Sequence, residues 1–210
     1  MSHLILVRHG ISEYNKKGLW TGWIDVELAP EGYDEAKRAG TTIKDFTFNK
    51  AYVANLKRCT ETLKEILNVL GQEDLETDVT PALRERNYGD LAGKNKWKIK
   101  EEHGDEQFMK WRRGWDEPIP NGESLKDVYD RLVPYYQEHI APDLEAGKTI
   151  LVSASGNSLR AMVKYLEKIP DDEISKLEIG TGEVLVYELN DDGSVKSKEV
   201  RSTNPKKGKV

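Results

Sequence analysis

The chain has 210 residues, a net charge of −5, and 37% hydrophobic against 33% charged side chains. That length suits one domain with a sizeable core, and that mixture excludes wholesale disorder. The acidic balance excludes a general nucleic-acid surface, so an anion can bind only where cations cluster, at Arg8, Arg58, Lys96 and the Arg112–Arg113 pair.

Residues 3–7 predict a short buried strand ending at Arg8-His9-Gly10. Its Leu-Ile-Leu-Val run is too short for a signal-peptide core, and no run approaches a membrane span, so a cytoplasmic protein is expected. Residues 31–45 predict a helix opened by Pro30-Glu31, and 51–53 a second strand. Leu63, Ile66 and Leu67 give 57–69 a helical period, with Gly71 as its stop. Residues 94–115 predict a helix in two pieces broken at Gly104, and 123–138 a helix kinked at Pro134. Residues 148–154 are a buried-strand pattern, 155–158 a turn, and 159–166 a helix. Strands 184–189 and 195–200 flank the turn at 190–193.

Strands alternating with helices predict an α/β fold, a three-layer α/β/α sandwich with a mostly parallel sheet. No linker or repeat interrupts it, so 1–201 is expected to form one domain and 202–210 a mobile basic tail. In such folds ligands sit beyond the C-terminal ends of strands, where Arg8-His9-Gly10 and Ser155-Gly156-Asn157 both fall.

An imidazole can attack phosphorus and carry the phosphoryl group as a labile phosphoramidate. A guanidinium can fork onto two phosphoryl oxygens, and a glycine lets backbone approach phosphate closely. Alone, Arg8-His9-Gly10 fits a strand-end histidine in a structural hydrogen bond better, since three residues recur by chance. The single cysteine, Cys59, excludes a disulfide framework and a cysteine-rich zinc site. The four histidines have no ligand spacing with carboxylates, and cationic side chains can neutralise phosphoryl charge, so no metal is expected.

Arg8-His9-Gly10 is followed by Ser12, Asn15 and Trp20-Thr21-Gly22-Trp23, then by the stretch from Leu56 to Leu63 around Arg58. Leu83-Arg84-Glu85-Arg86-Asn87-Tyr88-Gly89 comes next, then Gly93-Lys94-Asn95-Lys96, Trp111-Arg112-Arg113, Gly122-Glu123-Ser124-Leu125 and Gly156-Asn157-Ser158-Leu159-Arg160. This ordered series resembles the phosphoglycerate mutase branch of the histidine phosphatase superfamily over the whole chain before the tail. Many short motifs in one order are far more specific than any one of them.

The resemblance implies a phosphoglycerate mutase-like fold and interconversion of 3-phosphoglycerate and 2-phosphoglycerate through a phosphohistidine, in glycolysis and gluconeogenesis. It implies 2,3-bisphosphoglycerate as phosphoryl primer. His9 is then the nucleophile, Arg8 and Arg58 the phosphoryl clamps, and Asn15 a further donor. Glu85 is the general acid/base, although between Arg84 and Arg86 it fits an ion pair as well. Thr21, Gly22, Tyr88, Lys96, Arg112, Arg113, Gly156 and Asn157 form the substrate pocket. The expected partner is a small anionic phosphorylated molecule, with a homodimer open, and with no nucleic acid or membrane.

One departure matters most. The family places a second active-site histidine immediately before Gly-Asn-Ser, and this chain has Ser155 there. Serine carries no charge and offers one hydroxyl donor. Ser155 therefore predicts an impaired mutase, a protein adapted otherwise, or an introduced substitution. The alternatives are a phosphatase of the same superfamily and a non-catalytic protein that binds phosphorylated ligands. A serine hydrolase fits poorly, because Arg160 stands where a nucleophile elbow around Ser158 needs glycine. Smaller departures are Ile11, Ala54, Cys59 in place of a small alanine, Lys94, Val184, and a shortened Pro118–Gly122 segment.

Overall fold

The structure, a computed structural model, describes residues 2–202 and 204. Six strands form one sheet in the order β3-β2-β4-β1-β5-β6. They are β1 (Ser2–Arg8), β2 (Lys50–Ala54), β3 (Thr77–Thr80), β4 (Thr149–Ala154), β5 (Val184–Leu189) and β6 (Val195–Ser202). The β1–β4, β2–β4 and β2–β3 pairings are parallel; β5 and β6 add antiparallel.

Leu4, Ile5, Leu6 and Val7 of β1 are all fully buried, as are Ile150, Leu151 and Val152 of β4. Consecutive strand residues point to opposite faces, so both faces of the sheet are covered. The covering helices come in contacting pairs, α2 (Pro30–Thr41) with α3 (Lys57–Leu70), and α5 (Leu125–Tyr135) with α7 (Gly156–Glu167). Both pairs pack into one apolar core with the sheet. A second cluster of Trp20, Tyr88, Leu91, Ile99, Phe108, Trp111 and Ile119 lies outside it. It seats α4 (Lys96–Arg113). Short helices α1 (Glu13–Lys16) and α6 (Ala141–Glu145) complete the set.

Most expected elements stand within a few residues, and the differences have local causes. α2 stops at Thr41 because its last turn tightens: the Thr42 amide bonds the carbonyls of both Arg38 and Ala39. The expected turn at 155–158 is instead the start of α7. Ser155 is its extended N-cap residue, and the Leu159 amide already bonds the Ser155 carbonyl at 3.0 Å. α5 begins at Leu125 behind a Ser124–Asp127 capping box. After Pro134, which has no amide hydrogen to donate, residues 136–140 widen into a π-helical turn. β3 has no sequence signal, since Thr-Asp-Val-Thr is a short polar edge strand that only its pairing with β2 defines.

Of the segment expected as a mobile tail, Ser202 closes β6 and Asn204 is buried. The Asn204 amide bonds Glu35 and Thr181. The remaining residues of that expectation, 203 and 205–210, lie outside the described residues.

Leu151→Ala in the central strand should lower the unfolding free energy by about 2–5 kcal/mol, read as a lower urea midpoint at unchanged slope. A loss below about 1 kcal/mol would mean that neighbouring side chains collapse into the vacated space.

Candidate active site

The parallel pairing of β1 with β4 sets Arg8 beside Ala154, and the His9 amide bonds the Ala154 carbonyl at 3.0 Å. The two loops singled out from sequence therefore meet at the C-terminal ends of two central strands. Gly10 permits this crowding. A β-carbon there would lie 2.2 Å from the Gly32 carbonyl oxygen, so only glycine fits.

His9 is buried, and its Nδ1 lies 2.7 Å from the Gly10 carbonyl oxygen. A carbonyl only accepts, so Nδ1 carries the hydrogen and Nε2 keeps its lone pair. The Nε–H of Arg58 donates to that Nε2 at 3.2 Å. Burial, then the positive charges of Arg58 and Arg8, hold the imidazole pKa well below its ordinary value. His9 is thus a neutral base with one defined nucleophilic nitrogen.

Arg58 sits in the first turn of α3 and is itself buried. Its guanidinium donates to the carbonyls of Gly22 at 2.8 Å and Ile24 at 3.2 Å. Arg8 donates through Nη1 to the Ile179 carbonyl at 2.5 Å, while its buried Nε has no partner among the described residues. Thr21 Oγ1 is likewise buried and unpartnered. Both residues line the cleft. A β-carbon at Gly156 would come within 3.3 Å of the Arg8 guanidinium, so a larger residue at the start of α7 would press on that side chain.

Glu85 also lines the cleft and is buried. Its Oε1 accepts from the Arg86 amide and from Asn157 Nδ2, both at 2.7 Å. Its Oε2 accepts only from the Asn157 amide, at 3.3 Å. The side chains of Arg84 and Arg86 turn elsewhere, to Asn55 and to the Trp111 carbonyl. The ion pair weighed as Glu85's other role is therefore not what holds it.

Lys96 opens α4, and Arg112 and Arg113 close it, yet all three line the same cleft. A straight helix of 18 residues would separate its ends by about 27 Å. Gly104, at φ 81° and ψ 165°, breaks the helix and folds it back. That conformation suits only glycine. Trp20 packs tilted against Tyr88 at 4.7 Å and edge-on against Phe108 at 5.8 Å, tying the folded-back helix to the loops that line the cleft. Burial, then Arg112 and Arg8, push the Lys96 pKa down to about 7. Burial, then Arg112, lowers that of Arg113 to about 10, and Arg113 forms an ion pair with Glu178.

Asn15, Thr21, Gly22, Tyr88, Gly156 and Asn157 complete the expected set along the cleft wall. Asn15 also caps its own helix, its Oδ1 accepting from the Ser12 amide at 3.1 Å. Ser155 is the exception. It is fully buried, is not part of the wall, and its Oγ lies 3.4 Å from Arg58 Nη2 and 3.6 Å from Cys59 Sγ. It supports Arg58 from behind.

Sequence reasoning did not select Arg160, the strip from Glu178 to Thr181, or Asn204, all of which line the cleft. Arg160 stands inside a quoted motif and was legible. The others reach the cleft through loop paths that no local pattern encodes. Among the described residues no group of His, Cys, Asp or Glu is arranged to hold a metal ion, and no helix is long and apolar enough to cross a membrane.

A neutral, tautomer-locked imidazole thus lies near two guanidinium groups, and a carboxylate lines the same cationic cleft. Residues 4–200 match the model of the histidine phosphatase superfamily, branch 1, and the chain belongs to that family. A protein of Mesorhizobium japonicum named 2,3-bisphosphoglycerate-dependent phosphoglycerate mutase is 48% identical over 94% of this chain and 97% of its own length. One of the same name from Methylorubrum extorquens is 49% identical over 94% of each. Among solved structures, Bacillus stearothermophilus YhfR superposes with a TM-score of 0.80 at 23% identity, covering 93% of this chain and 94% of that one. The Shigella flexneri alpha-ribazole phosphatase gives 0.80 at 21%, covering 95% and 96%. At those identities the likeness establishes the fold alone.

The lowered pKa of Lys96 has a measurable consequence. Below about pH 7 Lys96 is already charged; above it, anion binding must draw a proton onto the amine. Affinity for sulfate, whose own charge is constant, should be flat below pH 7 and fall by up to about tenfold per unit above it. Calorimetry at pH 8 in buffers of different ionisation enthalpy should register proton uptake, and Lys96→Gln should abolish it. Equal heats in all buffers for the unsubstituted protein would overturn this assignment.

Proposed function

We propose that this protein interconverts 3-phosphoglycerate and 2-phosphoglycerate through a phosphohistidine at His9. The observation that carries the reading is the state of His9. Its Nδ1–H is tied to the Gly10 carbonyl, and its neutral Nε2 accepts from Arg58 Nε, a donor that an entering phosphoryl group would take over. The name shared by relatives of near-equal length supports the same reaction.

Nε2 attacks phosphorus as the bond from phosphorus to the substrate oxygen breaks. Arg8, Arg58 and Asn15 take the charge on the equatorial oxygens, and such electrostatic positioning is most of what phosphoryl transfer requires. Glu85 gives a proton to the departing oxygen and takes one from the hydroxyl that attacks His9's phosphoryl group in return. Thr21, Gly22 and Tyr88 bound the glycerate. Lys96, Arg112 and Arg113 hold its carboxylate and, where present, a second phosphate.

When bound, 2,3-bisphosphoglycerate supplies the phosphoryl group that primes His9. The site suits such a polyanion: Arg8 Nε and Thr21 Oγ1 are buried donors without partners among the described residues, and the far end carries three cations. Ser155 acts through Arg58 in this reading, its hydroxyl replacing part of what a histidine would contribute directly.

Incubation with 2,3-bisphosphoglycerate should leave one alkali-stable, acid-labile phosphate, mapping to His9, with 2-phosphoglycerate formed from 3-phosphoglycerate. Label on another residue would sink the assignment. Label at His9 with inorganic phosphate as the only product would make the protein a phosphatase.

Restoring histidine at position 155 should raise kcat, provided that space is made for it. Cys59 Sγ, 3.6 Å from Ser155 Oγ, fills volume that the larger ring needs. Cys59→Ala/Ser155→His should therefore gain about ten- to a thousandfold in kcat, and Ser155→His alone less. Equal turnover in all three proteins, with chemistry rate-limiting, would show that catalysis no longer depends on this position.

A further inference from the structure

Arg160 lies in the second turn of α7 and is almost wholly buried, yet its hydrogen-bond partners are four neutral oxygens. Nε donates to the Leu177 carbonyl at 3.1 Å and Nη1 to Asn157 Oδ1 at 2.8 Å. Nη2 donates to the carbonyls of Arg113 at 2.9 Å and Ile174 at 2.8 Å. Arg86 and Arg113 stand near enough to oppose its charge, and Glu85 near enough to favour it. Desolvating a guanidinium among other cations is a poor way to stabilise a fold, since an apolar side chain of similar volume commonly does as well.

The arrangement has a different consequence. A guanidinium has only donors, so Asn157 must turn its Oδ1 toward Arg160. Its Nδ2 must then face the other way. There it donates to Glu85 Oε1 at 2.7 Å and to the Tyr88 hydroxyl at 2.9 Å. With the Arg86 amide, this gives Oε1 two short bonds and leaves Oε2, with one long bond, as the oxygen able to carry a proton.

We infer that Arg160 is a positioning residue for proton transfer: it sets the orientation of the Asn157 amide, which holds the Glu85 carboxylate toward the cleft. The inference rests on the reading of Glu85 as the general acid/base. In the step concerned, the His9 Nε2–phosphorus bond forms and the phosphorus–oxygen bond to the leaving group breaks. The Glu85 proton goes to that oxygen. An alkoxide leaving group needs this proton; a nitrophenolate, being a weak base, departs without it. Leaving-group dependence therefore separates positioning of Glu85 from general damage to the cleft.

The test compares pre-steady-state bursts for 2,3-bisphosphoglycerate and p-nitrophenyl phosphate in the unsubstituted protein, Glu85→Gln, Arg160→Met and Arg160→Lys. Arg160→Lys keeps the charge but cannot reach all four oxygens, and it serves if Arg160→Met does not fold. In either Arg160 variant the ratio of the bisphosphoglycerate rate to the nitrophenyl rate should fall about ten- to a hundredfold, in the same direction as in Glu85→Gln. Asn157→Asp should lower the ratio as well, and combining it with the Arg160 change should add little, because the two act as one unit. Both rates falling in parallel in the Arg160 variants, while Glu85→Gln shifts the ratio, would overturn the inference and leave the role of Glu85 standing. No shift in Glu85→Gln would overturn the role of Glu85 and the inference with it.

Discussion

The hydrogen bond from His9 Nδ1 to the Gly10 carbonyl is the constraint on which the chemistry of this protein depends. Without it the imidazole would have two interchangeable nitrogens and two faces. With it, the proton is assigned to one nitrogen and the lone pair of the other is aimed at Arg58. The bond in turn depends on Gly10, whose missing side chain lets the backbone press against Gly32. It also depends on β1 and β4, whose parallel register delivers His9 to Ala154 and α7 to the same end of the sheet. The buried core thus decides which ring nitrogen keeps its lone pair.

Electrostatics runs against stability in the same place. Arg8, Lys96, Arg113 and Arg160 all have pKa values lowered chiefly by burial, in a chain that is acidic overall. Such a cleft is costly while empty of counter-charge and gains when a polyanion enters it. The backbone meets part of that cost. Carbonyls of Gly22, Ile24, Ile179, Ile174, Leu177, Trp111 and Arg113 accept from buried guanidinium groups that have few carboxylates to pair with. Neutral acceptors hold the cations in position without cancelling the charge that a phosphorylated ligand would meet.

The place of Ser155 shows how a substitution can change the route of an interaction. A side chain expected on the wall sits behind it, touching Arg58 and Cys59. Cys59 replaces a smaller residue expected from the family pattern, and the two departures prove to be neighbours in space, one shrinking where the other grows. The packing density of protein interiors makes such paired changes the expected form of tolerance.

Periodicity alone determined most of the secondary structure, because amphipathic helices and buried strands repeat on a scale of a few residues. It located α3 closely, apolar runs located β1, β4 and β5, and a lone glycine in a helical stretch marked the break at Gly104. The order of short motifs determined the family and named His9, Arg8, Arg58 and Glu85, since each carries chemistry in its residue type. Only the tertiary structure decided the tautomer of His9, which needs the distance to Gly10; the freedom of Glu85 from its neighbours, which needs the directions of Arg84 and Arg86; and the meeting of both ends of α4 in one cleft. The chain of contacts from Arg160 through Asn157 to Glu85 is of the same kind. Arg160 and Asn157 are three residues apart, but Glu85 is 72 from Asn157, and no local pattern encodes a contact made across that separation.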